Sequence, residues 1–217
     1  MPLTLPDTAN LGDPGHITDH NLLQVAVGSL ESQLAAKAAL ASPAFTGTPT
    51  LGGVPWGLPG LTYITKLDFA AASSIIVNGC FTSTFDDYLI LVEATASAGQ
   101  VLNMRLRAAG VDAATNYNYA TALMEAAYSG SQVPGATQLW AGRIGTAKGH
   151  IEISAAGPAV AAVTTFMTRA HWDAAGAVRV ELIHGNHTTA TAYDGFTLTP
   201  NVGTATGTVR VYGYKNS

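Results

Sequence analysis

The sequence predicts a mainly β protein in which a short N-terminal coiled-coil helix is followed by an antiparallel, jelly-roll-like β-sandwich. Three observations predict it. Beyond residue 60, apolar and polar residues alternate in short runs broken by glycines. Before that point Leu23, Val27, Leu30 and Leu34 recur at steps of four and three. Between the two textures, residues 42–60 are dense in Pro and Gly. Charged residues make up only 11% of the 217, against roughly 25% in ordinary soluble domains, so the expected surface is neutral and built of small side chains.

Residues 1–17 contain Pro2, Pro6, Gly12, Pro14 and Gly15, which break any regular element, and they read as an extended leader. Their start lacks a basic stretch followed by an apolar core, so no secretion signal is expected. A helix is expected over 18–41, capped by Thr18 or Asp19. Leu23, Val27, Leu30 and Leu34 fall on its d and a positions as a heptad seam. The same spacing serves an amphipathic helix packed on its own domain, but the Pro/Gly-rich linker 42–60 favours an extended strap that keeps the helix away from that domain. A seam held away in this manner buries itself against copies of itself. Two heptads are marginal alone, because nucleation is costly and each buried Leu contributes only about 2 kcal/mol.

From residue 61 to 217 the strands follow one another. Tyr88 to Val92 are apolar throughout and read as a central strand covered on both faces. Leu102, Met104 and Leu106, then Ile151 and Ile153, then Val178, Val180 and Leu182 alternate with polar neighbours and read as half-buried strands facing the core. Thr208 to Tyr212 form a closing strand. Glycines at 99, 110, 130, 142, 145, 149, 157, 176, 185 and 203 are expected to separate eight to ten segments. Cys80 is the single cysteine; with Ile75, Ile76, Val77 and Phe81 around it, a buried inert thiol is expected.

A net charge of −4 supplies no basic field for phosphates, which argues against nucleic acid as a partner. No run approaches the ~18 apolar residues of a membrane-spanning helix. His16 and His20 are four apart, but Gly15 and the cap put His16 outside the helix and no third ligand is near, so neither a metal nor a cofactor is expected. No nucleophile elbow or phosphate loop is present. A glycosidase needs two carboxylates several ångströms apart; Glu93, Glu125, Glu152 and Glu181 are the acids to test, and the expectation is no enzyme. Tyr117, Tyr119, Tyr193 and Asp194 sit in polar, loop-like sequence and are candidate glycan contacts, where a ring stacks on sugar and Asp accepts its hydroxyls. His184 and His187 flank Gly185-Asn186 and read as an exposed turn. His150, His171, Asp173 and Glu152 can converge only through the fold.

Two motifs carry a resemblance. Ser42-Pro43-Ala44-Phe45-Thr46-Gly47-Thr48-Pro49-Thr50 resembles the S-P-x-F-T-G-x-P-T segment of tailed-bacteriophage fibre proteins. Gly12-Asp13-Pro14-Gly15-His16-Ile17-Thr18-Asp19-His20-Asn21 resembles the leader of minor tail and fibre proteins of phages infecting actinobacteria. Cys80 to Tyr88 and Val209 to Tyr214 are similar to fibre-tip domains. The resemblance implies a virion protein of tail or baseplate in preference to capsid: a homotrimer held by Leu23, Val27, Leu30, Leu34 and Phe45, anchored to other virion proteins through Pro14, His16 and His20. Its tip would face the host surface, with glycan as the partner there. Unlike long-shafted fibres, this chain has the motif once, which implies a stub-like spike.

Overall fold

The computed structural model describes residues 22–34, 50–51, 54–55, 60–125, 127–174 and 176–215. The chain divides into two compact units, Met1–Gly57 and Leu58–Ser217. In the first, helix α1 spans residues 22–34, and β1 (Thr50–Leu51) pairs antiparallel with β2 (Val54–Pro55). Every residue of α1 is exposed in the isolated chain, including Leu23, Val27, Leu30 and Leu34 at 48–69% of their surface. The expected helix positions 18–21 and 35–41, Phe45, and the leader residues Pro14, His16 and His20 lie outside the described residues.

Among its described residues, every regular element of the second unit is a β-strand. Its strands are β3 (Leu61–Ala72), β4 (Ile75–Val77), β5 (Phe85–Ala96), β6 (Gln100–Ala108), β7 (Val111–Asp112), β8 (Tyr117–Met124), β9 (Tyr128–Ala136), β10 (Leu139–Ile144), β11 (Gly149–Ala156), β12 (Thr164–Ala174), β13 (Ala177–His187), β14 (Gly195–Pro200) and β15 (Ala205–Lys215). Eight form a large antiparallel sheet in the order β3-β15-β5-β11-β12-β13-β8-β9. A smaller sheet runs β10-β6-β14-β4, with β7 beside β6. The expected Val209 strand is therefore present but lies inside the large sheet, between β3 and β5.

Three connections cross from one sheet to the other in the same manner. The β5–β6, β10–β11 and β14–β15 pairs each place one strand in the large sheet and one in the small. They stack side by side, because β5 lies between β11 and β15 while β6 lies between β10 and β14. Backbone bonds stitch their turns together at one end of the unit: Ala96 N–H donates to Gly145 O at 2.9 Å and Ser97 N–H to Thr204 O at 3.0 Å. Asn201 N–H donates to Val101 O at 2.9 Å, and its side-chain oxygen accepts from Val101 N–H at 3.0 Å. Turn amides that would otherwise need water thus satisfy one another.

Between the sheets lies one apolar core. Leu102, Met104 and Leu106 point into it from the small sheet with Phe196 and Leu198; Tyr88, Ile90, Val92, Ile151, Ile153, Val209 and Val211 meet them from the large sheet. The expected phases of β6 and β11 hold, whereas β5, expected to be covered on both faces, turns Tyr88, Ile90 and Val92 to the core and leaves Leu91 half-buried on its other face. Phe81 packs edge-on to Tyr88 at 4.7 Å and beside Phe196 at 5.7 Å. The Tyr88 hydroxyl is satisfied locally: it donates to Thr82 O at 2.6 Å and accepts from Thr82 N–H at 2.7 Å. Cys80 is buried as expected, and burial pushes its thiol up to about 12.

The far end is held by Arg107. It is 9% exposed and donates to Asn78 Oδ1 at 3.0 Å, Thr197 Oγ1 at 2.9 Å, Gly110 O and Asp112 Oδ1, so a buried cation meets an acceptor at each step.

Two expectations about phase and turns are corrected. In β13 it is Glu181 that is buried, at 1% exposure, while Val178 is 75% and Leu182 37% exposed. Gly130, Gly142, Gly149 and Gly185, expected at turns, lie within strands. Gly185 does so because any Cβ there would meet Asn118 O and Leu139 Cδ1 at 2.8 Å. Gly142 sits in a bulge of β10 at φ +140°, where a Cβ would meet that of Ala170 at 2.7 Å. Gly142→Ala therefore combines backbone strain with overpacking and is expected to destabilise the unit by about 2–4 kcal/mol; a denaturant midpoint equal to that of the parent protein would contradict it.

Candidate functional site

The outer face of the large sheet is built by cross-strand rows. One row runs Tyr214, Asp87, Ala156, Thr165, Asn186, Asn118 across six strands. The next runs Tyr212, Leu89, Ser154, Met167, His184, Ala120, Gln132 across seven. All of these residues except Tyr212 and Leu89 line an open groove of about 890 Å³. Asn118 is fixed within it: its amide nitrogen donates to Asn186 Oδ1 at 2.9 Å, and its oxygen accepts from Gly135 N–H at 2.9 Å. Met167 is 52% and Tyr214 42% exposed. Beside the groove, Tyr63 and Tyr212 pack edge-on at 5.8 Å. Amides locked in place, an aromatic border and a single acid, Asp87, suit a neutral polar ligand with apolar faces, such as a sugar chain.

Of the residues expected from sequence to touch glycan, only Tyr119 lines this groove, and its ring packs on the core, edge-on to Trp140 at 6.4 Å. Tyr117 and Tyr193 are corrections. The Tyr117 ring is fully buried, its hydroxyl accepting from Leu106 N–H at 2.8 Å and donating to Ala113 O at 3.1 Å. Tyr193 is also buried, its hydroxyl 3.1 Å from His187 Nδ1. Neither ring has a free face for a sugar. Asp194 braces a turn, accepting from Ala109 N–H at 3.0 Å. The expected exposed turn at 184–187 is the end of β13, with His187 buried against Tyr117 at 4.4 Å. Sequence reading missed Asp87, Gln132, Met167, His184 and Asn186; they share no local motif, and only the register brings them together.

Each of the four tested acids faces a cation. Glu93 lies 2.7 Å from Lys148 and 3.6 Å from Arg210, Glu125 3.0 Å from Arg179, Glu152 3.9 Å from Arg169, and Glu181 3.8 Å from Arg143. Glu181 is the most unusual. Its partner Arg143 lies over the rings of Trp140 and Trp172, at 5.1 and 5.8 Å. Among the described residues, Glu181 Oε2, Arg143 Nε and Trp140 Nε1 make no hydrogen bond of ordinary geometry, although the Trp140 indole N–H lies near enough to Glu181 to favour its charged form. Burial raises the Glu181 carboxyl above its ordinary range, with Arg143 opposing. Among the described residues, no group of three or more His, Cys, Asp or Glu converges to hold a metal, and no helix is long and apolar enough to cross a membrane.

No protein-family model matches the chain, and comparison with the curated proteins returns no match.

A raised folded-state value means that Glu181 favours the folded state most when protonated, and that this advantage is lost as pH rises through the folded value. Glu181→Gln does not titrate. Its thermal midpoint relative to the parent protein is expected to increase from pH 4 to pH 7; a difference that is flat or falling with pH would contradict the buried-charge assignment.

Proposed function

We propose that this chain is a structural virion protein of a tailed bacteriophage: a homotrimeric short tail fibre or minor tail protein that contributes to host-surface attachment. The observation that carries the oligomer is the bare seam of α1. Leu23, Val27, Leu30 and Leu34 are 48–69% exposed in the isolated chain, and a helix of this length gains little stability in water without a partner to cover such a stripe. A coiled coil of three copies over 18–41, extended by the linker 42–60 around Phe45, buries it. The two antiparallel sheets of the second unit then serve as a tip, read as a jelly-roll-like sandwich. The leader motif with Pro14, His16 and His20 supports attachment to other virion proteins.

The outer-face groove supports the attachment role, with host glycan as its ligand. Head fibres and decoration proteins share this anatomy at another address, and immunoelectron microscopy of intact particles separates the two: label on capsids alone would remove the tail reading. A polysaccharide-cleaving spike is the catalytic rival, and the cation beside each acid weighs against it.

Light scattering of the whole protein is expected to give about three times the chain mass of 22.3 kDa. Leu30→Asp is expected to dissociate it, because three carboxylates facing one another in an apolar seam cost several kcal/mol. A parent protein that runs as a monomer would overturn the trimer. Tyr214→Ala combined with Gln132→Ala is expected to lower retention on host envelopes at least tenfold with the mass unchanged; full retention would remove the groove from attachment.

A further inference from the structure

At the other end of the same outer face lies a second, smaller cavity of about 320 Å³, lined by Glu93, Lys148, Gly149, His150 and His171. Register assembles it from three strands. Glu93 on β5 faces His150 on β11, and His150 faces His171 on β12. The two imidazoles lie with ring centroids 5.2 Å apart and planes inclined by 26°. Among the described residues, no hydrogen bond from a protein group reaches either ring. Two nitrogen heterocycles with unused hydrogen-bonding atoms, an ammonium group and a cavity are the makings of a binding site.

The charge around it decides which ligand fits. Glu93 is already engaged by Lys148 at 2.7 Å and by Arg210 of β15 at 3.6 Å. Those cations hold its carboxyl below the ordinary range. Glu152 of β11 is engaged by Arg169 of β12 at 3.9 Å. On β13 the residue opposite His171 is Val180, which carries no charge. A divalent cation would have to displace Lys148 from Glu93, and among the described residues no group of three His, Cys, Asp or Glu converges to hold one. An anion instead shares the Lys148 ammonium with Glu93 and gains two more donors when the imidazoles are protonated.

The geometry points to this cavity as an oxyanion site that takes a carboxylate or sulfate group between Lys148, His150 and His171, with both imidazoles protonated in the bound state. Without an anion, burial and the neighbouring His171 hold His150 below the ordinary histidine range. A bound negative charge reverses the second of these effects. Protonation and anion binding must therefore favour one another by equal factors.

The test uses the whole protein with two probes, inorganic sulfate and glucuronate, following the His150 and His171 ring signals by NMR at constant ionic strength. Sulfate is expected to bind at least tenfold more tightly at pH 5.5 than at pH 7.5 and to raise both histidine titration midpoints. His171→Gln, at an exposed position, is expected to weaken binding at least fivefold. Glu93→Gln is expected to tighten it about threefold, because removing the carboxylate frees Lys148. A metal site would respond to Glu93→Gln in the opposite direction, so weaker binding in that variant overturns the proposal. So does an affinity unchanged by pH, or an equal response to chloride. Glucuronate binding as tightly as sulfate assigns the site to acidic sugars; sulfate alone binding assigns it to tetrahedral anions.

Discussion

The second unit depends on one backbone constraint: three strand pairs cross between the sheets, and their turns are hydrogen-bonded to one another through Ala96, Ser97, Gly145, Thr204 and Asn201. That stitching fixes β5 against β11 and β15 in one sheet and β6 against β10 and β14 in the other. Because side chains alternate with a period of two, a slip of one residue in any of these strands would send its core face outward. The rows that floor the groove and the rows that line the core are consequences of the same lock. Tyr88, Ile90 and Val92 point inward only while Asp87, Leu89 and Glu93 point outward.

Much of this was legible in the sequence where a strand is covered along its length. Leu102, Met104 and Leu106, or Ile151 and Ile153, each show a clean alternation whose apolar phase is the core phase. Cys80 among Ile75, Val77 and Phe81 was legible for the same reason. β13 was not, because alternation gives a period without saying which phase is covered. There the inner face is met by Trp140, Arg143 and Trp172 instead of by an aliphatic sheet, and a guanidinium laid over indole rings makes room for Glu181 while Val178 turns to water. The polar neighbours of Tyr117 and Tyr193 misled for a related reason: both rings lie inside, with hydroxyls that find partners in Ala113, Leu106 and His187. A groove floored by residues from seven strands leaves no trace in any single stretch of chain.

The outer face is chemically divided. Toward one end it offers amides, tyrosines and a thioether with a single acid; toward the other, Lys66, Asp68, Glu93, Lys148, Glu152, Arg169 and Arg210 form a chain of opposed charges around two imidazoles. In a protein with so few charged residues, that concentration is the main exception to a neutral surface. Exposed ion pairs of this kind contribute little to stability, of the order of 0–1 kcal/mol each, so their effect falls on what the face attracts and repels more than on how firmly the sheet holds.

The single cysteine has a consequence of a different kind. Cys80 is 1% exposed beside Phe81 and Val77, with a thiol that hardly ionises at neutral pH. A thiol-specific reagent can reach it only when the segment joining β4 to β5 swings open and lets solvent in. The protein thus carries its own tracer: the speed at which that one sulfur is alkylated reports how often this corner of the molecule breathes, with no label added and no competing site elsewhere in the chain.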